Sequence, residues 1–357
     1  MRKALIALVL IAGAFLLFRH FQPAIGERLF ARAVAANVGR DARDGLPDGL
    51  HVALCGAGSP LADPRRAGPC TAVIAGRRLF IVDTGGGSAR RLAEMGLPVG
   101  DIEALLLTHF HSDHIDGLGE LMTLRWANGG SAAPLPVFGP PGVDTVVQGF
   151  NAAYALDRGY RVAHHGADVV PPAGHGAAPS AFAADRPVVV LDAGGLRVTA
   201  FPVGHDPVRP AVGYRFDYAG RSAVISGDTA PGGGIAAQAK GADLLVHEAL
   251  SPAMVGVIEK ALRGAGNARA AKIMSDIPDY HTSPEDAART AAAAKVRMLV
   301  LNHVVPPVPL RILEPYFLGG AGERYNERYR GPIVVGADGM VFSLPRGTDS
   351  IERSDLL

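Results

Sequence analysis

The chain has 357 residues, enough for one large α/β domain or two smaller ones. Hydrophobic residues make up 48% and charged residues 19%, a composition that excludes an intrinsically disordered chain. Lys plus Arg number 35 against 34 for Asp plus Glu, so the net charge is +1 and gives no basic surface of the kind that nucleic acids bind. We therefore expect a globular protein without a nucleic-acid partner.

The N-terminal residues 1–21 are predicted to be a signal peptide or a membrane anchor. Arg2 and Lys3 precede an uncharged apolar run, Ala4–Phe18, which is the pattern of a secretory signal. This run is shorter than the roughly 20 residues that span a bilayer upright, and an A-x-A-like cleavage sequence lies well beyond it at 31–33. We expect export to the periplasmic side, with an uncleaved inner-membrane anchor favoured over a cleaved signal. The alternative is a cytoplasmic protein with an apolar N-terminal helix.

The rest of the chain alternates predicted strands and helices, which indicates a single α/β domain. Residues 22–50 are predicted to be a helical linker, 51–345 the catalytic domain, and 346–357 a C-terminal tail. Within the domain, the irregular Pro/Gly/Ala-rich part of 130–187 predicts an insertion or lid. The predicted strands cover 51–55, 71–75, 78–82, 104–107, 135–138, 188–191, 197–203, 212–218, 222–225, 243–246 and 298–301, with a closing hairpin of 333–335 and 340–344. The predicted helices cover 88–94, 117–126, 143–156, 235–239 and 283–295.

The two cysteines, Cys55 and Cys70, lie fifteen positions apart. They could form a disulfide in an oxidising compartment. The favoured interpretation is that they are two small buried apolar side chains without a bridge.

A dense group of metal-binding residue types follows the strand predicted at 104–107. It is the H-x-H-x-D-H pattern formed by His109, His111, Asp113 and His114. Imidazole nitrogens and carboxylate oxygens are ligands for Zn²⁺, and also for Mn²⁺ or Fe²⁺. In an extended segment His109 and His111 point the same way, while Asp113 and His114 lie on the following turn and face a second position. The spacing therefore predicts two metal ions.

This motif resembles the signature of the metallo-β-lactamase superfamily, and later segments match that family in order. They are Pro202-Val203-Gly204-His205, Ser226-Gly227-Asp228-Thr229 and Leu301-Asn302-His303. The resemblance implies an αβ/βα sandwich, preceded here by the N-terminal apolar helix, with two Zn²⁺ at the edge between the sheets. It assigns His109, His111 and His205 to the first metal and Asp113, His114 and His303 to the second. Asp228 would bridge both.

The resemblance also suggests residues that act beside the metals. Leu245-Val246-His247-Glu248-Ala249 and Tyr280-His281-Thr282-Ser283 are similar to segments of the ribonuclease Z-like branch. There a Glu and a His shuttle a proton, which would make Glu248 and His281 catalytic together with Asp113. A structural alternative for His281 is capping of the helix that begins near Ser283. Asp83 would support the loop that carries the ligands.

The function expected from these patterns is hydrolysis of a phosphodiester or an aryl sulfate ester by a hydroxide held between two zinc ions. An aspartate at the bridging position argues against a dedicated β-lactamase. A lactonase or other carboxylic ester hydrolase would use the same ligands, and the Glu248/His281 pair favours the phosphate or sulfate ester. A non-hydrolytic metal-binding protein is disfavoured because no motif histidine is replaced by a carboxylate.

A tRNA-processing endonuclease is the less favoured alternative from the same branch. Members with that activity carry a long arm between the segments that match His205 and Asp228, whereas only positions 206–227, 22 residues, lie between them here. We therefore expect a small anionic ester as the substrate, no nucleic acid, and contact with the membrane through the N-terminal helix. The oligomeric state stays open, a homodimer included.

Overall fold

The computed structural model describes residues 2–321 and 329–357, which divide into two compact units. The first unit ends at Asp41 and consists mainly of one helix, α1 (Arg2–Asn37), in which no described residue is buried. Its most apolar 18-residue window has a mean hydropathy of 2.2, so α1 is long and apolar enough to cross a membrane. The boundary predicted at residue 21 falls inside this helix, because the Ala-, Leu- and Arg-rich residues after Pro23 have high helix propensity.

The second unit, Ala42–Leu357, contains every strand that the structure describes. In chain order the strands are β1 (Gly49–Gly56), β2 (Cys70–Ala75), β3 (Arg78–Val82), β4 (Ile102–Leu106), β5 (Leu135–Gly139), β6 (Ala177–Ala181), β7 (Val188–Ala193), β8 (Leu196–Pro202), β9 (Val212–Tyr218), β10 (Arg221–Ile225), β11 (Leu244–Leu250), β12 (Met298–Val305), β13 (Ile333–Val335), β14 (Met340–Pro345) and β15 (Glu352–Asp355). Its helices are α2 (Ser88–Glu94), α3 (Ser112–Ile115), α4 (Leu118–Gly129), α5 (Val143–Ala153), α6 (Ala155–His165), α7 (Ile235–Gln238), α8 (Pro252–Gly264), α9 (Ala268–Asp276), α10 (Pro284–Ala294) and α11 (Glu314–Leu318).

These strands form two mixed sheets. The first has the order β15-β14-β1-β2-β3-β4-β5-β6, and the second has the order β13-β12-β11-β10-β9-β8-β7. Strands β3 to β6 run parallel to one another, as do β10 to β13. The ends of both parallel sets carry the residues of the candidate site.

The two sheets face each other across a shared apolar core. Strand β1 is buried along its whole length, and its side chains alternate between layers, with Leu50, Val52 and Leu54 facing the second sheet. A further core covers the outer face of the first sheet under α2, α4 and α5, and another covers the outer face of the second sheet under α7, α10 and α11. The result is the helix–sheet–sheet–helix sandwich predicted from the sequence.

Three predicted segments have strand pairings that the sequence did not indicate. The supposed closing hairpin is wrong, because Ile333–Val335 pairs with β12 in the second sheet whereas Met340–Pro345 pairs with β1 in the first. Residues 130–187, predicted as an insertion or lid, supply β5 and β6, which extend the first sheet. Within 346–357, predicted as a C-terminal tail, Glu352–Asp355 forms β15 and pairs with β14. Alternation over such short strands does not reveal their partners.

Cys55 and Cys70 form a disulfide, contrary to the favoured prediction. Cys55 lies at a bulge near the end of β1, opposite the start of β2, where the register shifts between Leu54 and Gly56. The antiparallel pairing thus brings the two Cα atoms to 5.0 Å, within the range that a disulfide spans. Both side chains are buried, as predicted.

Candidate metal centre

The predicted ligands converge at one edge of the sandwich because they follow the ends of neighbouring strands. His109, His205 and Asp228 each lie three residues beyond a strand, after β4, β8 and β10 respectively. Asp83 comes directly after β3. In α/β folds functional groups collect at the carboxyl ends of strands, where the loops leave the sheet. The turn before Asp228 requires glycine, since Gly227 has a φ of +61° and a Cβ there would lie 2.7 Å from the carbonyl oxygen of Val212.

His303 lies inside β12 and not after it. Strand pairing with β11 joins Glu248 to Asn302 and then Ala249 to Val304, so His303 is the additional residue of a bulge. Its φ of +45° falls in the left-handed region, which residues other than glycine rarely adopt. Bulges of this kind redirect a side chain, and this one accounts for a histidine of a buried strand facing the site.

Among the described residues, the candidate ligand atoms form three overlapping groups, and the atoms of each group lie within 4.8 Å of one another. The first group consists of His109, His111, His205 and Asp228, the second of Asp113, His114 and His303, and the third of Asp228, His281 and His303. The first two groups together contain the seven residues that the sequence predicted as ligands. His111 and Asp113 are the half-buried members, and the other five are buried. The two half-buried side chains therefore mark the side from which a substrate can approach.

Asp228 lies between the first two groups. Its Oδ2 is 3.3 Å from Nε2 of His114 and 3.4 Å from Nε2 of His303, both in the second group. The same oxygen is 3.8 Å from Nε2 of His109 and 3.9 Å from Nε2 of His205, both in the first group. One carboxylate oxygen is thus positioned where a ligand shared by two cations would be.

These distances fit a divalent metal. Ligand atoms at about 2.0–2.1 Å from a tetrahedral Zn²⁺ lie about 3.4 Å from one another. Among the described residues, Nε2 of His114, Nε2 of His205 and Oδ1 of Asp228 are buried without a hydrogen-bond partner. Buried polar atoms are rarely left in that state, and a cation would satisfy them. The donor set of imidazole nitrogens and carboxylate oxygens is one that zinc typically occupies.

The protonation states of the first group also suit a metal. Burial, reinforced by the neighbouring His114, lowers the pKa of His109 well below its usual range. Burial likewise lowers the pKa of His111 and of His205. Unprotonated imidazole is the form that binds a metal, so these side chains need not lose a proton first.

Asp83 holds His114 in place. Its Oδ1 accepts a hydrogen bond from the backbone N–H of Thr108 at 2.8 Å, and its Oδ2 accepts from Thr108 Oγ1 and from His114 Nδ1, both at 2.8 Å. The bond from His114 Nδ1 fixes the ring of His114 so that Nε2 faces Asp228. Burial alone would lower the pKa of His114, but the carboxylates of Asp228 and Asp83 raise it well above its usual range. The surroundings of His114 therefore favour positive charge, as a bound cation would supply.

Glu248 and His281 lie in contact beside the second group. Glu248 is buried in β11, and its Oε1 accepts a hydrogen bond from the backbone N–H of Thr282 at 2.8 Å and lies 3.3 Å from Nδ1 of His281. The ring of His281 stacks over that of His303 with centroids 5.4 Å apart. Burial alone would lower the pKa of His281, but the Glu248 carboxylate raises it to about 9. The contact with Glu248 therefore favours the protonated form of His281.

Sequence reasoning missed the helices between Glu248 and His281. Helix α8 has Ser251 before it and Pro252 at its first position. Helix α9 has Asn267 before it, whose side chain accepts a hydrogen bond from the N–H of Ala270. Both are ordinary start signals that could have identified the pair. The missed segment matters because its end contributes to the site: the carbonyl oxygen of Tyr280 accepts a hydrogen bond from His205 Nδ1 at 2.9 Å.

Comparisons with known proteins agree with this geometry. Residues 63–303 match the family model described as the metallo-beta-lactamase superfamily. The chain is 40% identical over 259 residues to a ribonuclease Z of Mycobacterium avium strain 104, an alignment that covers 72% of this chain and 86% of that protein. It is 39% identical over 259 residues to a ribonuclease Z of Mycolicibacterium gilvum, covering 72% and 85%. Human tRNase Z, short form, superposes with a TM-score of 0.58 at 21% identity, covering 83% of this chain and 98% of that one.

One expectation is overturned by these relatives. Nucleic acid was excluded as a partner because the chain has a net charge of +1 and only 22 residues between His205 and Asp228. Proteins 39–40% identical to this one are nevertheless ribonucleases by name, so the exclusion was wrong. Overall charge reports the average over a surface, and it does not exclude an enzyme that contacts RNA near one bond.

Proposed function

Because the chain belongs to the metallo-β-lactamase superfamily and is a metal-dependent hydrolase, we propose that it hydrolyses a phosphodiester bond in RNA with two zinc ions. The observation that carries the proposal is the position of Asp228 Oδ2 between two groups of ligand atoms, with the Glu248–His281 pair in contact with one of them. The ribonuclease Z relatives support RNA as the substrate class.

The residues around the two groups have distinct roles in this proposal. The zinc ions, when bound, supply the Lewis acidity that activates water and polarises the phosphoryl group. Asp113 is half-buried, and its Oδ2 lies 3.2 Å from Nε2 of His303, so its carboxylate is placed to orient the attacking water. His281 has Nδ1 turned to Glu248, which leaves Nε2 to donate a proton to the departing oxygen. Glu248 keeps His281 protonated and fixes its orientation.

A screen of zinc-loaded protein tests this proposal against the alternatives from the sequence. The substrates are a short single-stranded RNA, bis(p-nitrophenyl) phosphate, p-nitrophenyl sulfate and a lactone. We expect hydrolysis of the two phosphodiesters and little of the others. Hydrolysis of the sulfate or the lactone alone would move the assignment to that ester, and hydrolysis of none would overturn it.

A variant pair assigns the activity to this site. Asp113→Ala should abolish turnover of both phosphodiesters while zinc content, measured by elemental analysis, falls only in part. The exposed Asp116, three residues along, provides the control, and Asp116→Ala should keep both activity and zinc. Full activity of the Asp113 variant would show that the hydrolysis arises elsewhere.

We also propose that the protein is exported and anchored on the periplasmic side of the inner membrane by α1. Two independent features support this location. Helix α1 is apolar enough to span a membrane. The disulfide between Cys55 and Cys70 is of the kind that persists in oxidising compartments.

A further inference from the structure

A cleft of about 300 Å³ opens beside the candidate metal centre, and two chemically different sets of residues line it. One set consists of site residues, among them Asp113, Asp228 and His303. The other set is apolar, and most of its members pack in one cluster. We call it the apolar wall, and it consists of Leu61, Ile273, Met274, Ile277 and Val305.

The apolar wall is built by the helices that the sequence reasoning missed. Met274 of α9 packs with Val255 of α8 and with Leu250 and Val305 at the ends of β11 and β12. This cluster is separate from the three larger cores, so it serves to hold the α8–α9 pair against the cleft. Ile273 is 53% exposed at the rim, whereas Met274 is buried behind it.

An aromatic side chain also lines the cleft. Tyr280 lies between two histidines of the site, with its ring centroid 5.3 Å from that of His205 and 4.9 Å from that of His281. It is half-buried and lines the same cleft. Aromatic rings stack on tyrosine, and planar bases do so with little dependence on sequence.

We propose that this cleft is a subsite for one planar aromatic ring carried by the phosphoryl group that the metal centre attacks. The ring would lie between the apolar wall and Tyr280, with its phosphate toward Asp228 and His303. A cleft of about 300 Å³ is at the small end of ligand sites, so it admits a single ring and its substituents. The ring is either the base of the nucleotide at the scissile bond or an aryl ester group. The inference rests on the proposed function, since it assumes that a phosphoryl group is bound at the metals.

Variants of the α8–α9 pair separate this subsite from the fold. Ile273→Asn removes an apolar contact at the rim, where the side chain is 53% exposed, so folding should be unaffected. Met274→Ala removes contact deeper in the wall. The matched control is Val257→Asn, because Val257 on α8 is 59% exposed and does not line the cleft.

The test measures binding to zinc-loaded protein by calorimetry, with phenylphosphonate, methylphosphonate and uridine 5′-monophosphate as ligands. We expect wild type and Val257→Asn to bind phenylphosphonate about tenfold more tightly than methylphosphonate, because a hydrophobic pocket discriminates by roughly this factor. Ile273→Asn and Met274→Ala should lose most of that preference. If both also bind uridine 5′-monophosphate more weakly, the natural ring is a nucleobase. If uridine 5′-monophosphate binding is unchanged, the ring is an aryl group.

Two results would overturn the subsite: equal binding of the two phosphonates by wild type, or an unchanged preference in both wall variants. Ile273→Asn alone decides the matter if Met274→Ala does not fold. Failure of the proposed function would look different. In that case wild type would hydrolyse no phosphodiester, whatever its preference between the two phosphonates.

Discussion

Asp228 has its carboxylate 2% exposed and within 3.9 Å of four imidazoles. Burying a lone carboxylate costs several kcal/mol, so such a residue persists only where positive charge compensates it. Burial by itself would raise the pKa of Asp228, but His303 and His114 lower it well below the usual range. Asp228 therefore stays ionised, as a ligand to two cations requires.

The contact between Glu248 and His281 predicts how activity depends on the leaving group. In His281→Ala, hydrolysis of RNA should fall by about 10²–10⁴-fold, because an alkoxide leaving group needs a proton. Hydrolysis of bis(p-nitrophenyl) phosphate should fall far less, because p-nitrophenolate leaves without one. The measurement is kcat for both substrates at matched zinc content.

Glu248→Gln provides the companion variant, since it keeps the size of the side chain and removes the charge that raises the pKa of His281. It should show the same dependence on leaving group to a smaller degree. Equal losses on both substrates in His281→Ala would mean that His281 has only a structural role. That role would not be capping of α10, because Ser283 caps this helix and its Oγ accepts a hydrogen bond from the N–H of Asp286.

The hydrogen bonds of Asp83 predict an effect on metal affinity. Asp83 has a φ of +57°, a conformation that asparagine tolerates, so Asp83→Asn keeps the backbone and removes the charge beside His114. Zinc affinity should fall about 10–100-fold, as is usual when the partner of a ligating histidine is lost. Competition with a chelating dye measures this. Asp116→Asn is the control, and equal affinity in both variants would show that Asp83 does not position His114.

For individual residues, the sequence indicated candidate ligands best where they follow a predicted strand. The H-x-H-x-D-H run lies just beyond an apolar strand, and the resemblance to the superfamily placed His205 and Asp228, which also follow apolar strands, with it. The bulge at His303 was not visible, because a two-residue alternation contains no sign of the extra residue. The hydrogen bond that the Thr108 N–H donates to Asp83 depends on the pairing of β3 with β4. No local sequence pattern predicts that pairing.

Among the elements, the link between β1 and β2 has the clearest consequence. The loop from Ala57 to Pro69 joins these strands, and Pro60 and Leu61 within it line the cleft. The disulfide closes this loop, since Cys55 and Cys70 have a sequence separation of 15. It thus tethers both ends of a segment that borders the site.

Removing the disulfide should reduce stability by about 3 kcal/mol, the value that chain entropy gives for a loop of this length. The variant Cys55→Ala/Cys70→Ala tests this by urea unfolding with the metal present in both proteins. Zinc content should not change, because neither cysteine belongs to the ligand groups. A loss of stability below about 0.5 kcal/mol would show that the folded loop needs no tether.

Local elements were easier to predict than their partners. The bounds of α2 and β9 agree with the sequence prediction, and the Ser283-Pro284 start of α10 was identified by its cap. The sheet to which Ile333–Val335 and Met340–Pro345 belong was not predictable, since they are four residues apart in the chain and in different sheets. Which strands pair depends on how all the buried side chains of the domain pack together.

For the molecule as a whole, the fold and the charge bear on different questions. The sandwich brings the ends of two parallel strand sets to one edge, and that edge holds every candidate ligand. The net charge of +1 is an average over the surface and does not decide how RNA is contacted, whereas the apolar wall favours recognition close to the scissile bond. The proposed RNA hydrolysis would then depend on the nucleotide at the bond more than on the overall shape of the RNA.

Helix α1 leads to a prediction of where the unit Ala42–Leu357 lies in the cell. Helix α1 is exposed along its length and apolar, so the full-length protein should sediment with inner membranes and resist extraction by carbonate. Protease added to spheroplasts should degrade the unit Ala42–Leu357, as expected for a domain outside the cytoplasm.

The double variant Leu8→Lys/Leu10→Lys should abolish both results, since each lysine at the centre of a membrane helix costs about 2.5–3.5 kcal/mol. Val257→Asn, an exposed change in the catalytic unit, is the control and should behave as wild type. Protection of the catalytic unit in intact spheroplasts, with degradation only after lysis, would place it in the cytoplasm instead.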